Sequence, residues 1–316
     1  MRISKVPYLY VTGASYSGST LLAFLLNAHP QMISISEMEG PVRRVVIGNY
    51  RCSCGELLLA CSFYVELERR IKSLGSTFTL ADWQTGFRFS ESRLLNILLA
   101  RPLRNVVLEG IRDSLVPFLP GYRQTVQVIS RRIVHLAQAA LALSGKQVFV
   151  DAQKDAIRIK FLRDIRELNL KVIHLVRDVR GAAASFMKNA GRADPTWATA
   201  RWSRMNMDSE RARRYVSPDQ WLRISYDDLC NDTQGTMDRV ADFVGVARAP
   251  IPEDFYEPEH HIIGNHMRLN GKGFGVVRPD ESWKNQLTKQ DLDVIARVGG
   301  TANLYFGHAW PQAKLE

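Results

Sequence analysis

Apolar positions along the chain follow two rhythms, and the alternation between them predicts the fold class. Val6 to Val11 is a nearly continuous apolar run of strand length. Glycine- and serine-rich sequence follows, then a helix over Gly18–Asn27 whose Leu21, Leu22, Leu25 and Leu26 recur at i, i+1, i+4 and i+5. Met32–Ser36 reads as a second strand, which completes the opening of a βαβ arrangement. From about Leu57 to Gly145 the period becomes helical, with helices expected over Phe63–Leu74, Glu91–Ala100 and Thr125–Leu143, broken by Pro102, Pro117 and Pro120. That stretch predicts a helical insertion folded over the sheet edge. The α/β rhythm then resumes with strands Gln147–Val150, Lys171–Val176 and Trp221–Ile224 and helices Ala156–Leu168 and Thr233–Val244. Asp194-Pro195 adds a helix start, a capping residue followed by proline in the first turn. The arginines of that helix (Arg201, Arg204, Arg211, Arg213 and Arg214) read as a solvated basic face. Ile251–Arg278 is loop-rich, with Gly264, Gly271, Gly273 and Gly275. The order predicts one α/β domain over residues 1–316, a central mostly parallel sheet flanked by helices, rather than two independent domains.

The turn after the first strand carries the clearest chemistry. Gly13-Ala14-Ser15-Tyr16-Ser17-Gly18-Ser19-Thr20 has the spacing G-x-x-x-x-G-[K]-[ST], with Ser19 where a nucleoside-triphosphate enzyme carries lysine. Strand, glycine loop and helix start put free backbone N–H groups and a positive dipole end at one point, which suits an anion. Without the lysine, the usual clamp on a β/γ-phosphate pair is missing, so a different anionic group is expected. A second anion site follows the strand Lys171–Val176. There Arg177-Asp178-Val179-Arg180-Gly181 leads into a helix carrying Ser185. Open α/β sheets bind ligands at strand carboxyl ends, so Arg177 and Ser185 can converge on one phosphate.

Composition narrows the partners. The net charge of +10 favours an acidic one, such as a nucleotide or an anionic acceptor. No basic run is interleaved with aromatics, so nucleic acid is not expected. Nor does any apolar run approach the roughly 20 residues of a membrane span. No signal peptide is visible. Four cysteines (Cys52, Cys54, Cys61 and Cys230) are too few and too clustered for a secreted disulfide framework, so a reducing, cytoplasmic setting is expected. Cys52, Cys54 and Cys61 make an uneven set with no fourth ligand in view, and buried thiols are preferred to zinc. His29 reads as a capping or packing residue, and the terminal Leu315-Glu316 is set aside.

Three runs, SGSTLLAFLLNAHPQMISISE, HLVRDVRGAAAS and RISYDDLCNDTQGTMDRVADFVGV, resemble the sulfotransferases that use 3′-phosphoadenosine 5′-phosphosulfate. The style is that of bacterial members related to the carbohydrate and tyrosylprotein enzymes. DAQK at Asp151–Lys154 and GNHMR at Gly264–Arg268 match too, and the resemblance covers most of the chain except roughly Glu66–Gly145. It implies a P-loop-like sulfotransferase fold whose loop holds a 5′-phosphosulfate without metal. By this resemblance Ser15, Tyr16, Ser17, Gly18, Ser19 and Thr20 cradle that group, and Arg177 and Ser185 hold the 3′-phosphate. Tyr226 and Arg268 lie near the nucleotide.

Sulfuryl transfer needs a base for the acceptor hydroxyl and donors that neutralise the leaving phosphate. Glu37 is the expected base, where the tyrosylprotein enzymes place a catalytic glutamate; Glu39 is the alternative two residues on. The chain departs from its relatives at Tyr16, where they carry lysine or arginine. Tyrosine can donate a hydrogen bond but is uncharged at neutral pH. Lys154 is therefore the expected replacement cation. The acceptor is expected to be a small-molecule, carbohydrate or lipid hydroxyl, shaped by the insertion and the loop-rich segment. A small-molecule kinase, which needs the loop lysine and magnesium ligands, and a nucleotide-binding relative without catalysis are the alternatives.

Overall fold

The computed structural model describes residues 5–39, 47–101, 103, 105–256, 260–264, 266–269 and 277–310. Gly271, Gly273, Gly275 and Leu315-Glu316 lie outside them. In chain order the elements begin with β1 (Val6–Gly13), α1 (Ser19–Ala28) and β2 (Met32–Ser36). Four helices follow, α2 (Ser62–Ser73), α3 (Arg93–Ala100), α4 (Val106–Leu115) and α5 (Tyr122–Ser144). Then come β3 (Val148–Lys154), α6 (Ala156–Leu162), β4 (Leu168–Val176), α7 (Val179–Ala190) and α8 (Pro195–Ala212). The chain continues with β5 (Trp221–Ser225), α9 (Tyr226–Asn231), α10 (Thr233–Val244), α11 (Trp283–Gln286) and α12 (Lys289–Tyr305).

The strands form one sheet in the order β2-β3-β1-β4-β5, and every pairing is parallel. Such sheets are covered on both faces, and β1 shows it. Tyr8 and Tyr10 pack with α2 and α5, whereas Leu9 and Val11 pack with α1 and α10. β1 leads past β3 to β2, while β3 leads past β1 to β4. The connections thus diverge between β1 and β3, and their carboxyl ends flank the crevice where open α/β sheets bind ligands.

Several boundaries differ from the expectation for stated reasons. The strand expected to stop at Val150 runs on to Lys154, through a charged residue that periodicity marks as an end. Asp151 is fully buried because Arg158 Nε meets its Oδ2 at 2.8 Å and Tyr8 donates to the same oxygen at 2.7 Å. The helix expected over Ala156–Leu168 stops at Leu162, and β4 begins three residues before Lys171, with Leu168 and Leu170 both buried. α4 and α12 were not expected, although each has a readable cap. Asn105 accepts from the N–H groups of Val107 and Leu108, and Thr288 forms a capping box with Asp291.

The arginines of α8 and of the turn after it are not simply solvated. Arg211 bonds Asp208 at 2.7 Å, Arg214 pairs with Glu109 at 2.5 Å, and Arg201 lies over the rings of Phe186 and Trp197. No described helix is long and apolar enough to cross a membrane.

Candidate functional site

The loop after β1 is built for close approach. Gly18 caps α1 with a positive φ of 88°, and a Cβ there would fall 2.4 Å from the Tyr226 ring, so only glycine fits. Ser17, Ser19 and Thr20 are buried, Ser15 half-buried. Among the described residues, Ser17 Oγ is buried without a hydrogen-bond partner. An unpaired buried hydroxyl costs free energy unless a ligand supplies the bond. That hydroxyl and the α1 N-terminus together suit an anionic group.

Left-handed backbone at non-glycine residues concentrates here. Tyr16, Ser36 and Lys154 have φ of 65°, 65° and 68°. They stand at the carboxyl ends of β1, β2 and β3, three adjacent strands. Each such residue costs about 1–3 kcal/mol, a strain found mostly where function over-determines the backbone.

Arg177 ends β4 and bends back over the loop. Its Nη1 donates to the Tyr16 carbonyl at 3.2 Å, and its guanidinium stacks on Tyr226 at 4.6 Å from the ring centre. A Cβ on Gly181 would lie 2.8 Å from Arg177 Nε, so the guanidinium rests on the first turn of α7. Gly181 and Ser185 are four residues apart in that helix and share a face, which places Ser185 one turn beyond the arginine. Tyr226 wedges between Gly18 and Arg177, and its hydroxyl accepts from the Asp280 N–H at 3.2 Å. Sequence reasoning missed Asp280. Arg177 Nη2 bonds its carbonyl at 2.9 Å and its carboxylate at 3.1 Å. A carboxylate thus holds the arginine proposed for a phosphate.

Glu37 and Lys154, remote in sequence, form an ion pair between Lys154 Nζ and Glu37 Oε1. Register explains the meeting, because β3 lies between β2 and β1 and Lys154 stands opposite Thr12 near the base of the loop. Glu39 takes a different environment. Its N–H donates to Gln153 Oε1 at 2.8 Å, and its carboxylate lies 3.7 Å from Arg158. It lines an open cavity of about 910 Å³ within the insertion, with Trp83, Arg88, Gln124, Ile129 and Arg132. A second cavity of about 370 Å³ shares Glu39 and Arg88 and adds Asp155.

The Tyr16 ring meets Phe186 edge-on at 4.8 Å, which fixes it by packing. Arg268 is buried, with Nε and Nη2 donating to the Arg51 carbonyl at 3.1 and 2.8 Å and Nη1 donating to the Gly264 carbonyl at 2.5 Å. Its guanidinium stacks on Tyr50 at 4.3 Å. Backbone carbonyls therefore engage the donors that the resemblance assigned to the nucleotide. His29 behaves as a packing residue, with Nε2 3.0 Å from the Ala247 carbonyl.

No curated protein matches the chain by sequence. Residues 122–250, from α5 to just past α10, match the model of the sulfotransferase family. Among solved structures, the sulfotransferase domain of an olefin synthase from Synechococcus is similar with a TM-score of 0.57 and 20% identity, over 97% of this chain and 97% of that one. The sulfotransferase domain of the curacin biosynthetic pathway gives 0.49 and 18%, over 97% and 100%. A sulfotransferase from Mycobacterium avium gives 0.47 and 15%, over 97% and 78%. At 20% identity the olefin-synthase likeness is one of fold, while the family model rests on the sequence of this chain. Residues 122–250 thus match the sulfotransferase family in sequence, and the chain shares its fold along nearly its whole length with a solved sulfotransferase domain.

Proposed function

We propose that this chain transfers a sulfuryl group from 3′-phosphoadenosine 5′-phosphosulfate to an acceptor hydroxyl. The observation that carries the reading is the Glu37–Lys154 ion pair beside a lysine-free phosphate loop. The donor supplies an activated sulfuryl group on a phosphate leaving group. The α1 N-terminus and Ser17 Oγ bind its anionic end, and Arg177 with Ser185 holds the other. Glu37 takes the acceptor's proton at a carboxylate oxygen. Once protonated, that carboxyl no longer neutralises Lys154, so the ammonium faces the negative charge developing in the crevice. Proton removal and charge stabilisation are thereby coupled through one ion pair, and Lys154 supplies the cation that Tyr16 lacks.

The cavities of the insertion are proposed to take the acceptor, a small-molecule, carbohydrate or lipid hydroxyl, within a single sulfotransferase domain acting in the cytoplasm. Their mixed lining, Trp83 and Ile129 beside Arg88 and Arg132, suits an acceptor with apolar and anionic or polar parts.

Thermal shift and transfer assays test the reading together. 3′,5′-Adenosine bisphosphate should raise Tm without magnesium. Glu37→Gln should lower transfer by about 10²–10⁴-fold while leaving that shift intact. Stabilisation by magnesium-ATP alone, or full transfer by Glu37→Gln, overturns it.

A further inference from the structure

Two stretches remote in sequence bring four soft ligands together, none of which the proposed transfer reaction uses. Cys52, Cys54 and Cys61 lie on the turn leading into α2, and His261 arrives 200 residues after Cys61. Their ligand atoms all lie within 4.8 Å of one another. Cys54 Sγ is 3.7 Å from Cys61 Sγ, and His261 Nδ1 is 3.4 Å from Cys61 Sγ and 3.7 Å from Cys52 Sγ. A tetrahedral zinc ion with ordinary bond lengths places two thiolates roughly 3.8 Å apart and a thiolate and an imidazole nitrogen roughly 3.6 Å apart. These three separations match such edges, and the remaining pairs lie within 4.8 Å.

The surroundings hold the ligands in place. Cys52 and Cys61 are buried, and all four cysteines are free thiols. Gly55 N–H donates to the Cys52 carbonyl at 3.0 Å, closing a tight turn between the first two thiols and the third. Phe63 stacks flat on the His261 ring at 4.7 Å, and Tyr64 donates to the His261 carbonyl at 2.5 Å. Ser53 and Ile262 exchange hydrogen bonds, with Ser53 N–H donating to the Ile262 carbonyl at 3.1 Å and Ile262 N–H donating to Ser53 Oγ at 2.8 Å.

We propose that Cys52, Cys54, Cys61 and His261 form a structural zinc site that clips the 260–264 segment to the turn before α2. Three thiolates and one imidazole select a soft, tetrahedral ion, and four protein ligands leave no open position, so the metal acts on structure rather than on substrate. Its place in the fold gives the clip a consequence. Ile263 N–H donates to the Ile35 carbonyl at 3.3 Å, and Gly264 packs against Glu37. The metal therefore braces the backbone on which the candidate base rests. From sequence, buried thiols are preferred because three unevenly spaced cysteines show no fourth ligand, and His261 supplies it from 200 residues away.

Elemental analysis of the full chain, purified without chelator from zinc-supplemented medium, tests this apart from any activity. About one zinc per chain is expected, falling to near zero in Cys54→Ser and staying near one in Cys230→Ser. Stripped wild-type protein titrated with cobalt(II) should develop thiolate-to-cobalt charge-transfer and tetrahedral visible bands that saturate near one equivalent and vanish on adding zinc. The cobalt titration keeps the test decisive if a cysteine variant fails to fold. Zinc content below about 0.1 per chain together with absent cobalt bands overturns the proposal. So does a Cys54–Cys61 disulfide in zinc-replete protein, or unchanged zinc content in Cys61→Ser. Because metal content is the readout, failure here is distinguishable from failure of the sulfotransfer reading.

Discussion

Asp280 sets a condition on Arg177 that the arginine's position alone does not reveal. Two of the guanidinium's bonds go to Asp280, one to its carbonyl and one to its half-exposed carboxylate. A 3′-phosphate reaching Arg177 must compete with that carboxylate and is repelled by it. An ion pair whose carboxylate is half-exposed is worth about 0.2–1 kcal/mol, so Asp280→Asn should tighten 3′,5′-adenosine bisphosphate binding by about 1.4- to fivefold. Isothermal titration at low salt reads this directly, and weaker binding in the variant would show that Asp280 instead orients the arginine for the nucleotide.

At the scale of elements, buried charge decides where strands end and how stability depends on pH. β3 extends past Val150 because Asp151 finds Arg158, whose Nη1 also donates to the Thr85 carbonyl at 2.5 Å and so ties the sheet to the insertion. Burial and the neighbouring Asp151 carboxylate push the Tyr8 phenol well above its ordinary range, in keeping with a dry site. Asp151→Asn leaves buried Arg158 with only the more distant Glu39 carboxylate at 3.7 Å and should cost up to about 3–5 kcal/mol in urea unfolding.

His174 on β4 is also fully buried, facing Glu210, Arg223, Asn206, Trp221 and Phe306. Burial lowers its pKa below 6.5, outweighing the Glu210 carboxylate 3.6 Å from Nδ1 and the Asn206 Oδ1 contact at Nε2. As pH falls through about 6.5, the unfolded chain takes up this proton before the native one, so stability falls with pH. His29 and His135 are lowered by burial too and add in the same direction. Burial opposes ionisation of Glu210, but the neighbouring His174 and the hydrogen bond from Arg223 outweigh it and hold its carboxyl at about 2. With His174 neutral near pH 7, Arg223 Nη2, 2.7 Å away, is the lasting partner. That contribution is lost only below about pH 4.5. Urea midpoints should therefore drop between pH 7.5 and 5.5, and His174→Gln should flatten that drop. An unchanged slope in the variant removes His174 as its source.

For the whole molecule, strand order places the parts. The phosphate loop, the strained ends of β2 and β3 and the Glu37–Lys154 pair lie at the carboxyl ends of the strands, while the helical stretch after β2 lines two cavities that share Arg88 and Glu39. Arg88 is exposed and outside the nucleotide crevice. If those cavities take the acceptor, Arg88→Ala should raise the acceptor KM several-fold with bisphosphate binding unchanged. An unaltered KM across an acceptor panel would move the acceptor site elsewhere.

What the chain's sequence determined by itself is whatever short-range chemistry encodes. Periodicity marked all five strands, α10 to the residue, and the helical character of the stretch between β2 and β3. Glycine and serine spacing marked the loop, and an arginine eight residues before a serine marked the face of α7. These are legible because backbone preference and helical spacing act over a few residues. Tertiary structure alone decided the rest. Strand order brings Glu37 to Lys154, loop closure brings Asp280 to Arg177, and a distant segment delivers His261 to three cysteines. Asp151 could not be recognised as buried without Arg158, nor Arg268 as bound to carbonyls without Arg51 and Gly264. In each case the partner lies elsewhere along the chain, and a charge or a ligand takes its role from the group it meets rather than from its neighbours in sequence.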